Sequence, residues 1–275
     1  MKGKAALEIR VSPCPLPAKM NYMPGAIVAI GGGLIRTRGT ADIDREIIRL
    51  SHKRRPRLLF IPTASSDSDL YWRRVQEYFG NFLGCETDVL LLMNKQTPRE
   101  QISARILAAD VVYVGGGNTL QLMRVWRQTG VDKFLKAAYE SGTVLSGISA
   151  GAICWFASGH SDSMSFYNPH KWEYINVRGM GLVGGTFCPH YNGRTRGAPR
   201  RKSFREMLQR TGSVGIAVEN NCAIAFREGV YKVIRSNSYG KAYVLRKQGS
   251  NVVAQQIHQT EEFLPLETLL EKPGS

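Results

Sequence analysis

Among the 275 residues of this chain, the first whose setting could do chemistry is Ser149. It stands in Gly147-Ile148-Ser149-Ala150-Gly151, after the apolar run Val144-Leu145 and before Ala152-Ile153-Cys154-Trp155-Phe156. Small neighbours let a backbone turn sharply from strand into helix. The hydroxyl would then stand clear of the sheet, beside the first amides of the helix. Those amides lack acceptors and favour negative charge. The chemistry this suits is nucleophilic attack through an oxyanion. The plainer reading of the same pentapeptide is a turn where a strand packs tightly on a helix.

A free serine hydroxyl is a poor nucleophile near neutral pH and needs a base. Of the five histidines, His190 alone ends an apolar strand, in Cys188-Pro189-His190-Tyr191. His52 and His258 lie at a charged helix end and near the C-terminus, and His160 and His170 are reserves in a long polar stretch. A third group should hold the imidazole in the right tautomer. Glu219, directly after the strand Val214–Val218, is preferred for its place on the edge that carries Ser149. Asp162 is the alternative, but a helix after Ser149 would carry it about 13 Å away at about 1.5 Å per residue, so it must fold back. As plainer roles, Glu219 could be a turn carboxylate and Asp162 a cap. The oxyanion donors would be the amide of Ala150 and one from Gly116 or Gly117, in Val114-Gly115-Gly116-Gly117-Asn118-Thr119.

The elements that must position these groups alternate. Strands are expected at Ala26–Ile30, Arg57–Ile61, Asp88–Met93, Val111–Val114, Thr143–Ile148, Leu182–Cys188 and Val214–Val218. Helices are expected at Ala41–His52, Asp69–Phe82, Pro98–Ala109, Leu120–Trp126, Val131–Glu140, Phe204–Gln209 and Glu261–Leu270. Ser158–Gly181 reads as a long polar and aromatic loop, and the segments from Cys222 to Ile257 as β-hairpins flanking the main sheet. This order predicts an α/β three-layer sandwich, with a mostly parallel central sheet and helices on both faces. Ligands of such sheets bind beyond the carboxyl ends of the strands. Gly115–Asn118, Ser149, His190 and Glu219 all fall there.

Residues 1–23 read as a loose N-terminal extension rich in proline, and 24–275 as one domain. Five scattered cysteines, with no CxxC pair, read as buried thiols in a reducing cytoplasm. No apolar run approaches the roughly 20 residues of a membrane helix. The net charge of +15 raises nucleic acid. The basic residues are spread, however, and not interleaved with aromatics, so a solvated basic face or an acidic substrate is the better reading. The glycine-rich Gly115–Asn118 stretch lacks the lysine of a phosphate loop. No His/Cys cluster has zinc spacing, so no metal or other cofactor is expected.

The three segments Val114–Thr119, Gly147–Ala152 and Cys188–Tyr191 together resemble the dipeptidase E (aspartyl dipeptidase) family of serine peptidases. That family is related to cyanophycinases and has a glutamine-amidotransferase-like fold. The resemblance runs over about 26–226 and implies Ser149 as nucleophile and His190 as base. It leaves the acidic member at either Asp162 or Glu219. It also implies an arginine shortly after the histidine that grips an N-terminal aspartate, a place held here by Arg200. Asn118, at the glycine-rich mouth of the site, is expected as a further substrate contact. An asparagine often follows Ser-Ala-Gly-Ala in that family, where this chain has Ile153. The expectation is a cytoplasmic serine peptidase acting on a small peptide through an acyl-enzyme, with no membrane or nucleic-acid partner and a homodimer left open. The alternatives are a cyanophycinase-like peptidase and a non-catalytic binder of an acidic ligand.

Overall fold

In the computed structural model, residues 24–93, 97–236 and 239–270 are described. The N-terminal extension expected at 1–23 lies outside them, as does Cys14. The chain order is simple at its start. Strands β1 (Ile27–Ile30), β2 (Arg57–Ile61), β3 (Glu86–Val89), β4 (Val111–Val114) and β5 (Val144–Ile148) alternate with helices α1 (Ala41–Leu50), α2 (Asp69–Val75), α3 (Arg99–Ala108), α4 (Thr119–Thr129) and α5 (Val131–Glu140). After β5 come α6 (Ala150–Ile153), β6 (Phe156–Ser161), β7 (Ile175–Arg178) and β8 (Val183–Cys188). Two short pieces, β9 (Arg194–Thr195) and β10 (Ala198–Pro199), pair before α7 (Arg200–Thr211). The chain ends through β11 (Gly215–Val218), β12 (Cys222–Arg227), β13 (Val230–Arg235), β14 (Ala242–Gln248), β15 (Asn251–Ile257), β16 (Leu264–Pro265) and α8 (Leu266–Leu270).

Apart from the β9–β10 pair, the strands form two sheets. The larger has the order β16-β13-β12-β1-β5-β4-β2-β3, parallel from β1 to β3 and antiparallel from β1 to β16. The second has the order β15-β14-β11-β8-β6-β7, with β6, β8 and β11 parallel. The inner parallel strands β1, β2 and β4 are largely apolar because both faces are covered, whereas the edge strand β3 (Glu-Thr-Asp-Val) is half exposed. In β2, Leu59 and Ile61 pack with Trp126 and Leu135 on one face. Leu58 and Phe60 pack on the other with Ile43 and Ile47 of α1 and with Phe79. A third apolar cluster, Cys188, Tyr191, Phe204 and Leu208 among it, fixes α7 against the second sheet.

The α/β sandwich is as expected; the second sheet is the main departure. The stretch read as a loop, Ser158–Gly181, contains most of β6 and all of β7. Its polar residues hide the strand signal because they are buried and bonded: His160 Nε2 meets Ser203 Oγ at 3.0 Å, and Ser161 Oγ donates to Thr119 Oγ1 at 3.1 Å. The C-terminal hairpins divide between sheets, β12–β13 extending the large one and β14–β15 the second. The edge strand β3 ends at Val89, short of the Met93 expected. The Asp67 carboxylate takes the amides of Leu92 and Met93 at 2.6 and 2.7 Å, drawing the chain off the ladder. The helix expected over Asp69–Phe82 widens into π-type turns from Gln76. That expected over Phe204–Gln209 starts earlier, at Arg200, and that expected over Glu261–Leu270 starts only at Leu266.

One buried acid stands apart from the site. Asp44 of α1 is fully buried; its Oδ2 accepts from Thr40 Oγ1 at 2.8 Å and Tyr78 Oη at 2.9 Å, and its Oδ1 has no partner. Burial outweighs those bonds and pushes its pKa up to about 7. The folded state thus holds this proton more tightly than the unfolded chain. Its contribution is complete below about pH 4 and is lost as the pH rises through about 7. Asp44→Asn removes that titration while keeping an acceptor oxygen. Chemical denaturation at pH 5 and pH 8 should show the variant gaining on the wild type at pH 8 by on the order of a few kcal/mol.

Candidate active site

Ser149 follows β5 directly and has φ 57° and ψ −112°, a backbone state costly for any residue but glycine. The glycines on either side explain how the bend closes. A Cβ on Gly147 would lie 2.2 Å from the Gly151 carbonyl oxygen, and one on Gly151 would lie 2.2 Å from that of Val114. The turn therefore packs backbone on backbone. Helix α6 begins at once and lies between the sheets, touching β1, β4 and β5 on one side and β6 and β8 on the other. Ala150 opens it, so its amide falls where a helix has no internal acceptor.

His190 arrives from the second sheet. It follows β8 at Cys188-Pro189, and its own φ is 49°. Its amide donates to the Gly31 carbonyl at 2.8 Å, which ties it to the end of β1 in the large sheet. The ring Nε2 stands 2.9 Å from Ser149 Oγ. The ring Nδ1 stands 2.6 Å from Asn220 Oδ1. An amide oxygen only accepts, so Nδ1 carries the hydrogen and donates to it. Nε2 is then left with a lone pair towards the serine hydroxyl. Asn220 sits in the turn from β11 to β12, where the chain passes from one sheet to the other, and its amide donates to Asn192 Oδ1 at 3.2 Å.

Neither carboxylate expected beside His190 touches it. Glu219, next to Asn220, is turned away: its Oε1 accepts from Arg201 Nη2 at 2.7 Å and from Tyr243 Oη at 3.4 Å. Asp162 does fold back, but towards Arg200, whose Nη2 donates to its Oδ2 at 2.6 Å; Thr195 Oγ1 donates to the same oxygen at 2.9 Å. Asn220 carries no charge, so an expectation of an acid at this place passes over it. Its position one residue past the strand-end Glu219 was the available signal. Arg200 is not open to a substrate. It is 2 % exposed, and besides Asp162 it bonds Thr195 Oγ1 and the His160 carbonyl. Asn118 is buried and caps α4, accepting from the Gln121 amide at 3.1 Å. Of the two glycines considered for the oxyanion, Gly116 lies against the serine: a Cβ there would be 3.4 Å from Ser149 Cβ. Gly117 is turned so that a Cβ would strike the Ala64 carbonyl.

Burial, and then the positive charge of Arg200, lower the His190 pKa below the ordinary histidine value, against smaller opposing effects from Asn220 and Asp162. His160 is held lower still, at about 3, by burial and the same arginine. It stays neutral, stacked on Tyr174 with ring centroids 4.2 Å apart. Cys85, Cys154, Cys188 and Cys222 are buried free thiols. Among the described residues, no cluster of three or more His, Cys, Asp or Glu could hold a metal ion, and no helix is long and apolar enough to cross a membrane.

The two-sheet α/β frame agrees with what comparison with known proteins finds. The model of peptidase family S51 matches residues 27–234, and the chain belongs to that family. It is a serine-type peptidase. An uncharacterized peptidase, YgaJ of Bacillus subtilis (strain 168), is 34% identical over 220 residues, covering 79% of this chain and 90% of that protein. Peptidase E of Streptomyces coelicolor is 32% identical, over 56% of this chain and 60% of its own. A cyanophycinase of a Nostoc species is 25% identical, over 78% and 72%. In fold, the chain matches the crystal structure of a peptidase from an acI-B1 Actinobacterium, with a TM-score of 0.69 and 20% identity over 89% of this chain and 98% of that one.

The close approach of Gly32 gives a direct check on the geometry. A Cβ there would lie 2.1 Å from Asn220 Oδ1 and 2.3 Å from His190 Nδ1. Gly32→Ala should therefore break that hydrogen bond and lower kcat/KM on any peptide that proves to be a substrate, by about 100-fold or more. A crystal structure of the variant should show the imidazole displaced from Ser149.

Proposed function

We propose that this chain hydrolyses short peptides through Ser149 as nucleophile, His190 as general base and Asn220 as the group that orients His190. The observation that carries this reading is the continuous bond path from Ser149 Oγ to His190 Nε2, and from Nδ1 to Asn220 Oδ1. Ser149 Oγ attacks the scissile carbonyl carbon while Nε2 takes its proton. The oxyanion formed is held by the Ala150 amide and by the Gly116-Gly117 turn, at the mouth of β4. The imidazolium gives its proton to the leaving amine as the C–N bond breaks. Water then adds to the acyl-enzyme, with His190 again taking the proton, and Ser149 is released.

A neutral amide at Nδ1 fixes the tautomer but lends no negative charge to the imidazolium. Together with burial and the Arg200 charge, this keeps His190 an unprotonated base at mildly acidic pH. The acid limb of kcat/KM should accordingly fall below pH 6.5. Asn220→Asp should raise the pKa of His190 and move that limb to higher pH. Asn220→Ala should lower kcat about 100-fold or more, with KM little changed. A pH profile that does not move in Asn220→Asp would contradict the assigned role.

The test of the reaction itself is a screen of dipeptides and acyl-amino-acid amides against the wild type and Ser149→Ala. Turnover should be lost in the variant, with its thermal unfolding midpoint retained. Equal hydrolysis by the two proteins would reject Ser149. A cyanophycinase-like activity belongs to the same screen, and the 25% identity to the Nostoc cyanophycinase is what supports including it.

A further inference from the structure

Beside the serine elbow opens a groove that the catalytic residues do not use. Its near end is walled by Ile148, which immediately precedes Ser149, and by Gly33 and Tyr71, in a cavity of about 460 Å³. Arg36 and Arg74 also line it. The same two arginines line a second cavity, of about 580 Å³, which carries the groove on to Arg38 and Phe82. The two cavities share Ile35, Arg36 and Arg74 in their walls, so together they extend the open surface from Ile148 to Phe82.

The charge along this path is unusual. Arg36 and Arg74 are exposed and have no ion-pair or hydrogen-bond partner among the described residues. The neighbouring Arg73 is, by contrast, paired with Asp69 at 2.9 Å. Arg38 stands over the Phe82 ring, 3.8 Å from its centroid. The acid on the walls is Glu77, one carboxylate facing three guanidinium groups. Exposed apolar side chains share the first cavity's wall with the two arginines: Leu34 is 61% exposed and Leu70 59%. Unpaired guanidinium groups suit carboxylates, which they can grip with two parallel bonds. Leucines on the same wall suit apolar side chains.

Resting on the peptidase reading above, we infer that this groove is an extended substrate subsite, which takes a peptide segment carrying both acidic and apolar residues and running on from the scissile bond. Arg36 and Arg74 bind its carboxylates and Leu34 and Leu70 its apolar side chains. Substrates would then be acidic oligopeptides rather than dipeptides alone. This subsite is distinct from the place after His190, where Arg200 is already held by Asp162.

Binding can be read without turnover in the Ser149→Ala background, so the groove and the nucleophile are tested apart. The probes are fluorescein-labelled Glu-Leu-Glu-Leu-Glu-Leu and its neutral counterpart Gln-Leu-Gln-Leu-Gln-Leu, followed by anisotropy. The acidic peptide should bind at least tenfold more tightly at low salt, and lose most of that advantage at 0.5 M salt. Arg36→Gln with Arg74→Gln should weaken it about tenfold, while Arg36→Lys with Arg74→Lys restores part of the loss. Unfolding midpoints should stay level across the set. Equal affinity for the two peptides, no binding of either, or an acidic preference untouched by the double variant would overturn the inference. Displacement of the acidic peptide by a single-stranded oligonucleotide as readily as by unlabelled peptide would also overturn it, in favour of a general polyanion surface. Hydrolysis lost in Ser149→Ala but blind to acidic extensions would sink the groove and leave the peptidase reading standing.

Discussion

The structure depends on bringing one imidazole to the line where two sheets meet. Ser149 leaves the large sheet, His190 leaves the second, and Asn220 lies on the chain that crosses between them. No local sequence brings these three together; only the docking of the sheets does. Backbone bonds make the junction rigid: His190 donates to Gly31, Tyr191 to Val218 and Asn221 to Gly32, each within 3.1 Å. Ser149 and His190 both adopt positive φ there, at a cost of order 1–3 kcal/mol each. Such strain persists only where the surroundings over-determine it. Here they do, through the buried core that α6 shares with both sheets.

The charged groups around the histidine divide into two sets. Arg200, Asp162, Thr195 and the His160 carbonyl form a closed, partly buried network in which Arg200 is the most buried member. A buried ion pair is weak evidence of stability in itself, because removing its charges from water is costly. Its evident effects are to hold the start of α7 against β6 and to depress the imidazole pKa. Arg201 and Glu219 form the second pair, on the outer side of Asn220. That pair draws the Glu219 carboxylate away from the ring and leaves the amide of Asn220 to face it.

Much of this was legible in the sequence. The parallel strands β1, β2 and β4 are apolar runs closed by glycine or proline, and their bounds follow from composition. Ser149 and His190 each stand at such a strand end, which is why residue type and position together singled them out. The second sheet was not legible at β6, because burial there is carried by His160 and Ser161, whose polarity is satisfied by partners distant in sequence. The group at His190 Nδ1 was not legible either. Glu219 and Asn220 are adjacent, and which side chain points at the ring is decided by Arg201, on a helix no local pattern connects to them. Arg200 looked like an anion clamp in a basic loop, but Asp162 claims it; that pairing is a tertiary fact.

The central claim, that His190 makes a nucleophile of Ser149, is tested most directly by covalent labelling. The wild type would be treated with a fluorophosphonate, digested, and the adduct located by mass spectrometry, alongside His190→Ala. The adduct should fall on Ser149 alone, and its rate of formation should drop by about 100-fold or more in the histidine variant. An adduct on another serine, or a labelling rate that ignores the loss of the imidazole, would contradict the account.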